Sequence, residues 1–204
     1  MVINQPSPPD ILLPMLEPIL DFRSPVLFEE AAVRELCCLA RKGYRTRFKR
    51  ETFGFLFGRL THDHKLIVTR AIYYRGGKKT RTGVVFKDWP TIRRGAKRRR
   101  ELARQLRLRF LGNFHSHVEI AGWVFKGLSR DDRNSFREDI MSAIEVIVFV
   151  WPGRSRTMRS ATGTIVGHEP RTGLNYRIRV YAKRRNGIRQ VRARVIPSEV
   201  VIVF

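Results

Sequence analysis

Two histidines separated by a single residue, His115 and His117, constrain the folding of this chain more than any other feature. They close an apolar stretch, 109–117, that predicts a β-strand. Side chains alternate in direction along a strand, so both imidazoles point to the same side of it. Asp132, three residues after Ser129, would supply a third ligand from a following helix. Three protein ligands and one open position are typical of a catalytic zinc site, so the sequence predicts a metallohydrolase.

The third ligand has competitors close to it in the sequence. Ser129 is a candidate N-cap, which would place Asp132 in the first turn of its helix, near the metal. Asp131 lies one residue away but on another face of that helix, and Glu119 lies in the preceding loop. We therefore favour Asp132 as the ligand. Ser116, between the histidines, would point away from the metal.

An upstream segment, Glu51 to Gly58, has the pattern Glu-x-x-Gly-x-Leu-x-Gly. Together with the His-Ser-His and the Ser-x-x-Asp that follow in order, it resembles the JAMM (MPN+) metalloproteases over about residues 25–167. With Trp123 in the loop, the chain resembles the deubiquitinating subunit of the proteasome lid in particular, as an archaeal-type homologue of it. Two features depart from the family: Val118 stands where proline is usual, and the loop 118–128 is longer. A longer loop costs little closure entropy, so the site can survive it.

The resemblance implies a function, a cofactor and roles for individual residues. The family comprises zinc isopeptidases that remove ubiquitin or ubiquitin-like proteins from lysine side chains. The implied Zn²⁺ ligands are His115, His117 and Asp132. Glu51 would take a proton from the attacking water and deliver it to the departing lysine amine. Ser129 would donate a hydrogen bond to the oxyanion of the tetrahedral intermediate.

The loop 118–128 carries two aromatic side chains, Trp123 and Phe125. Either they cover the site or bind the tail of a ubiquitin-like modifier, or they pack into the core. The expected partners are a ubiquitin-like protein and its conjugates, with the proteasome as a further partner. The predicted function is thus removal of such a modifier by a metal-activated water.

Positive charge suggests a second function. The chain has 41 Lys+Arg against 18 Asp+Glu, a formal net charge of +23. Such a field attracts nucleic acid or an acidic partner, although ion pairing in a heat-adapted protein also enriches arginine. The candidate patch residues are Arg98, Arg99, Arg100, Arg177, Arg179 and Arg192. The alternative hypothesis is therefore a basic nucleic-acid-binding or scaffold protein that uses an MPN-like domain.

The secondary-structure pattern predicts an α+β fold, a curved mixed β-sheet flanked by helices with a C-terminal β-hairpin extension. The resemblance implies the same fold, which is cytidine-deaminase-like. We divide the chain into a proline-rich N-terminal tail, 1–24, a catalytic domain, 25–167, and a basic β extension, 168–204. The predicted helices are 28–49, 89–108 and 129–139. The predicted strands are 25–28, 52–60, 65–74, 83–86, 109–117, 144–151, 158–166, 175–184, 188–196 and 200–204.

The remaining features concern the compartment. Cys37 and Cys38 are adjacent within an apolar helical pattern, which favours core packing over a disulfide. The sequence contains neither a recognisable signal peptide nor an apolar run long enough to cross a membrane. We therefore expect a cytoplasmic protein without a membrane partner.

Overall fold

The computed structural model describes residues 24–79, 83–85, 89–124, 127–154 and 163–198. The predicted tail up to residue 23, Phe125 and the predicted strand 200–204 lie outside these ranges. The first half of the chain contains β1 (Val26–Glu29), α1 (Glu30–Tyr44), β2 (Phe53–Leu60), β3 (Leu66–Tyr73), β4 (Lys78–Lys79), β5 (Val84–Val85) and α2 (Trp89–Leu106). The second half contains β6 (Arg109–Val118), α3 (Arg130–Glu138), β7 (Ile144–Pro152), β8 (Ile165–Glu169), β9 (Leu174–Arg184), β10 (Gly187–Val191) and β11 (Ala193–Ile196).

One mixed sheet of nine strands organises the described residues, in the order β10-β9-β7-β6-β2-β3-β1-β11, with β8 also paired to β9. β2 and β3, at the predicted strands 52–60 and 65–74, form an antiparallel hairpin, and β6 runs parallel to β7. β8 and β10 share one edge of β9, pairing with its first and second halves respectively. At the far end, the Ala193 amide of β11 donates to the Gly163 carbonyl just before β8 at 3.1 Å. The sheet therefore curls until its ends nearly meet.

The predicted α+β class is wrong, because strands dominate this structure. It is 43% strand and 27% helix, and eight strands form a nearly closed mixed barrel. The physical reason lies at the C-terminal hairpin. The alternating pattern predicts one continuous strand over 188–196, but the chain leaves β9 after Val191. Its last part, β11, pairs in parallel with the whole of β1, from Val26↔Ala193 to Glu29↔Ile196.

Helix α1 packs on the inner face of this curved sheet. Its completely buried residues, Ala32 and Leu36, recur at helical spacing and join the main core with Phe28 and Phe114. The helix is shorter than predicted, and it ends at Tyr44. The other two helices lie on the outer face, where Leu102 of α2 packs against β2 and β6, and Phe136 of α3 packs against β7 and β9.

Alternation along β6 separates these two faces. Phe114 and Val118 point inward to the α1 core. Asn113, His115 and His117 alternate with them and therefore point outward, to the side of α2 and α3. The neighbouring strand β2 approaches β6 and β3 very closely at its glycines. A Cβ atom at Gly54 would lie 2.2 Å from the Ile72 carbonyl oxygen, and one at Gly58 would lie 1.8 Å from that of Ile67.

The predicted division at residue 167 stays a prediction, although strands on both sides of it belong to one sheet. The predicted helices at 89–108 and 129–139 correspond to α2 and α3. No helix within the described ranges is long and apolar enough to span a membrane.

Candidate metal centre

The two histidines lie in the middle of the sheet, on β6 between β2 and β7. Each is only 6% exposed. Their Nε2 atoms face each other at 3.1 Å, with the ring planes inclined at 49°. The predicted i, i+2 geometry thus brings both imidazoles to one point on the outer face.

Asp132 joins the histidines from the N-terminus of α3. Its Oδ1 atom lies 3.4 Å from His115 Nε2, and its Oδ2 atom lies 3.6 Å from His117 Nε2. Its position is held by a reciprocal capping box. The Asp132 amide donates to Ser129 Oγ at 3.1 Å, and the Ser129 amide donates to Asp132 Oδ2 at 2.8 Å. The N-cap prediction therefore explains how a carboxylate on a separate element reaches the histidines.

The competing acids lie elsewhere. Asp131 is exposed on the neighbouring face of α3. Glu119 is buried but accepts from Lys49 Nζ at 2.5 Å and from the Tyr44 hydroxyl at 3.3 Å, so it belongs to a separate ion pair. Ser116 points away from the metal group, as predicted. Its Oγ accepts from the Thr52 amide at 2.8 Å, which ties β6 to the segment before β2.

Glu145, which the sequence reasoning missed, lies directly behind the site. Its Oε1 atom is 2.9 Å from His115 Nδ1, and Glu145 is only 5% exposed. When ionised, this carboxylate accepts from Nδ1–H and leaves the lone pair of His115 on Nε2, facing His117 and Asp132. The available signal was a single acid in the otherwise apolar strand β7. A buried acid in such a strand needs a partner.

The electrostatics of the group reflect close packing of opposite charges. Burial alone would lower the pKa of His115, but Asp132 and Glu145 raise it well above its usual value. Burial would raise the pKa of Asp132, yet hydrogen bonds from the two histidines hold it below the ordinary range. Burial also raises the pKa of Glu145, against the opposing effect of His115. A cation at this point would take over the role of the imidazolium, with release of the proton.

Glu51 completes the group from a third segment, immediately before β2. Continuation of the β2–β6 pairing, in which Phe53 is opposite His115 and the Ser116 amide donates to the Thr52 carbonyl, brings Glu51 opposite His117. The side chain is 5% exposed. Burial raises its pKa to about 8, His115 opposes that rise, and the negative charge of Asp132 adds to it.

The donor set fits a metal ion. The ligand atoms of His115, His117 and Asp132 all lie within 4.8 Å of one another. Two imidazole nitrogens and one carboxylate oxygen are the ligand types of zinc and related divalent metals. The Glu145 contact leaves the lone pair of His115 on Nε2, where it faces the other two ligands. This buried group could therefore bind a metal ion.

The other predicted site residues are distributed over several elements and do not form one cluster. Trp123 is 80% exposed at the tip of the loop after β6, so the alternative of core packing is wrong for this ring, while Phe125 lies outside the described residues. On α2, Arg98 pairs with Glu101, Arg99 donates to Asp139 at 2.8 Å, and Arg100 is exposed. Arg177 and Arg179 lie on β9, and the exposed Arg192 lies between β10 and β11.

Comparison with known proteins adds the fold alone. No family model matches the chain, and no curated protein matches it. Among solved structures, the chain is similar to the solution structure of protein DSY2949 from Desulfitobacterium hafniense, with a TM-score of 0.53 and 16% sequence identity. The match covers 84% of this chain and 93% of that chain. The similarity therefore supports the fold and carries no information about the chemistry of the site.

Proposed function

We propose that this chain is a zinc-dependent isopeptidase that removes ubiquitin or a ubiquitin-like modifier from lysine side chains. The observation that carries the proposal is the convergence of His115, His117 and Asp132, with Glu51 buried beside them. Three elements contribute to this group, in the chain order of the JAMM metalloproteases that the sequence resembles. A structural zinc site would instead have four protein ligands.

Zinc is the metal that we propose for the triad. Two imidazoles and a carboxylate suit it, and a bound zinc ion polarises a carbonyl group and lowers the pKa of water. The chain's own contribution is to hold the ligands in place. Glu145 orients His115 through Nδ1, and the Ser129 cap fixes the Asp132 carboxylate.

Proton transfer is assigned to Glu51. Its side chain is buried next to the triad and makes no ion pair with a lysine or arginine within the described ranges, so its carboxyl group can exchange a proton with a reacting water. It would take the proton as water attacks the amide carbonyl and give it to the departing lysine amine. The Ser129 hydroxyl accepts from the Asp132 amide, and its own proton remains available to donate to the developing oxyanion.

The proposed substrate follows from the resemblance and from the exposed loop. Trp123 presents a large ring to solvent close in sequence to His117, where an extended modifier tail would approach the site. We propose ubiquitin-like conjugates as substrates, the proteasome as a partner, and the cytoplasm as the compartment.

The test is cleavage of a ubiquitin-like protein joined to a lysine-containing peptide, with the full chain loaded with Zn²⁺. We expect cleavage that a chelator abolishes and added Zn²⁺ restores. Glu51→Gln should reduce the rate by about 10²–10⁴-fold while metal binding persists. Glu101→Gln, which removes a carboxylate from the half-exposed side of α2, is the matched control. Full cleavage by Glu51→Gln would exclude the proposed proton transfer.

A second candidate function is nucleic-acid binding. The specific observation is a set of exposed cations on α2: Arg93, Arg94, Lys97, Arg98, Arg100 and Arg104. Binding to duplex or single-stranded probes should weaken steeply with salt, because each phosphate contact releases counterions. Arg98→Gln with Arg100→Gln should reduce that slope, whereas Arg185→Gln with Arg189→Gln on the exposed C-terminal hairpin should change it less. Absence of binding at low salt would remove this candidate.

A further inference from the structure

A small cavity lies beside the metal centre on the outer face of the sheet. Its volume is about 170 Å³, below the range of complete small-molecule sites but large enough for one side chain. The lining residues come from the loop after β6 and from two adjacent strands: Gly122, Val124, Phe149, Trp151, Arg177 and Arg179. Phe149 connects it to the proposed centre, because its ring makes an edge contact with His117 at 5.4 Å between centroids.

Two arginines form the polar side of this cavity. They occupy alternate positions of β9, so both point to the outer face. The Arg179 guanidinium lies 5.4 Å from the centroid of the Phe149 ring, and that of Arg177 lies 5.8 Å from the Trp151 ring. Stacking on aromatic rings holds the planar guanidinium groups in fixed orientations.

The hydrogen-bonding capacity of Arg177 is not used up within the described residues. Its Nε atom is buried and has no hydrogen-bond partner there. No carboxylate of the described part of the chain forms an ion pair with Arg177, and no carboxylate lines the cavity. A half-buried guanidinium group that faces a cavity and has no anion there gains most from a carboxylate, which can accept two parallel hydrogen bonds.

The distance to the metal centre suggests where this anion belongs. Because Phe149 lies 5.4 Å from both the Arg179 guanidinium and the His117 ring, these two groups are at most about 11 Å apart. An extended peptide advances about 3.3 Å per residue, so this span corresponds to roughly three residues. A substrate bound at the metal could therefore place a nearby side chain in the cavity.

We propose that this cavity is a specificity subsite for an acidic side chain, Asp or Glu, within about three residues of the scissile amide. The position relative to the scissile bond rests on the proposed peptidase function, whereas the preference for a carboxylate rests on the arginines alone. The apolar floor accepts the methylene groups of that side chain, and the Arg177 guanidinium group accepts its charge, with the positive charge of Arg179 nearby.

The experiment separates recognition from catalysis by measuring binding to the zinc-loaded Glu51→Gln chain. The probes are fluorescent peptides, blocked at both ends and branched through a central glycyl-lysine isopeptide bond. A single Glu or Gln is placed at each of the flanking positions in turn. We expect one position at which Glu binds about tenfold more tightly than Gln, the size expected for a charged hydrogen-bonded pair.

Arginine variants then assign that preference. Arg177→Gln with Arg179→Gln should abolish the advantage of Glu, and Arg177→Lys should retain part of it. Arg189→Gln, which removes the same charge from an exposed position of β10, should leave it intact. Far-UV circular dichroism and thermal unfolding of each variant exclude loss of the fold as the cause.

Three results would overturn the subsite. The first is equal binding of Glu and Gln peptides at every position, and the second is an advantage of Glu that survives loss of both arginines. The third is a Gln peptide with a free C-terminal carboxylate that binds as tightly as the Glu peptide, which would identify a chain end as the ligand. Preferential binding of the Glu peptide without cleavage of conjugates by the wild type would support the subsite and contradict the proposed peptidase function. Cleavage of conjugates without a preference for Glu would support the peptidase function and contradict the subsite.

Discussion

Replacing Glu145 with glutamine tests whether the buried carboxylate behind His115 sets the affinity of the chain for a metal ion. The change preserves the size of the side chain and removes its charge. Glu145 Oε1 lies 2.9 Å from His115 Nδ1, and both side chains are less than a tenth exposed, so salt screens the contact little. Loss of such a partner weakens metal binding by about 10–100-fold, or roughly 1.4–2.7 kcal/mol.

Competition between the metal-free chain and a chelator of known affinity measures this change, first with Zn²⁺ and then with Co²⁺. The Glu101→Gln variant should bind as the wild type does, because that carboxylate lies on α2 and pairs with Arg98. Denaturant unfolding of both metal-free variants separates weaker metal binding from a damaged fold. An unchanged affinity in Glu145→Gln would refute the inference that this carboxylate orients and polarises His115.

Three further predictions concern the elements that support the site. Ser129→Ala removes the α3 cap and should lower the free energy of unfolding by about 1 kcal/mol, as well as weakening metal binding through Asp132. Leu36→Ala in α1 empties space in the main core and should cost about 2–5 kcal/mol in a denaturant titration. Burial alone would raise the pKa of Asp139, but Arg99 and two neutral donors hold it below its usual value. Its stabilisation is therefore present above the unfolded-state pKa, about 3.9, and is lost as the pH falls through the lower folded-state pKa. Asp139→Asn should flatten the acid limb of a stability-against-pH curve.

Two of these three predictions, for Ser129 and Asp139, have a matched control. Ser135→Ala changes an exposed serine of the same helix and should affect neither stability nor metal binding strongly. Asp131→Asn, at an exposed position of α3, should leave the acid limb close to that of the wild type. Equal metal affinities in the Ser129 and Ser135 variants would contradict the capping argument.

Local patterns in the sequence predicted most of the individual elements. Alternation placed the two histidines on one side of a strand, and the Ser-x-x-Asp spacing predicted the cap that carries Asp132. Both are short-range effects, because they depend on side-chain direction and on hydrogen bonds within a few residues. The strands β2 and β3 were predicted for the same reason, and they form a hairpin whose turn, with His62 and His64, is exposed.

Pairing between strands that are distant in the sequence could not be predicted from local patterns. The direction in which the chain turns after Val191 depends on the free edge of β1, more than 160 residues earlier in the chain. Alternation within 188–196 contains no information about that edge, so the continuous strand 188–196 and the α+β class were wrong, whereas β9 and β10 form the predicted hairpin. The cavity at Arg177 was hidden likewise, since a basic β-strand has the same pattern whether its arginines face solvent or stack on rings of the next strand.

The sequence by itself determined which donors are available at the site: two imidazoles in register, a capped aspartate and an upstream glutamate. Only the tertiary structure decided that Glu145 stands behind His115 and that the sheet curls into a nearly closed barrel around α1. The reason is physical. Side-chain direction and helix capping are governed by neighbours along the chain, whereas strand partners and buried charge pairs are chosen by packing between segments that are distant in sequence.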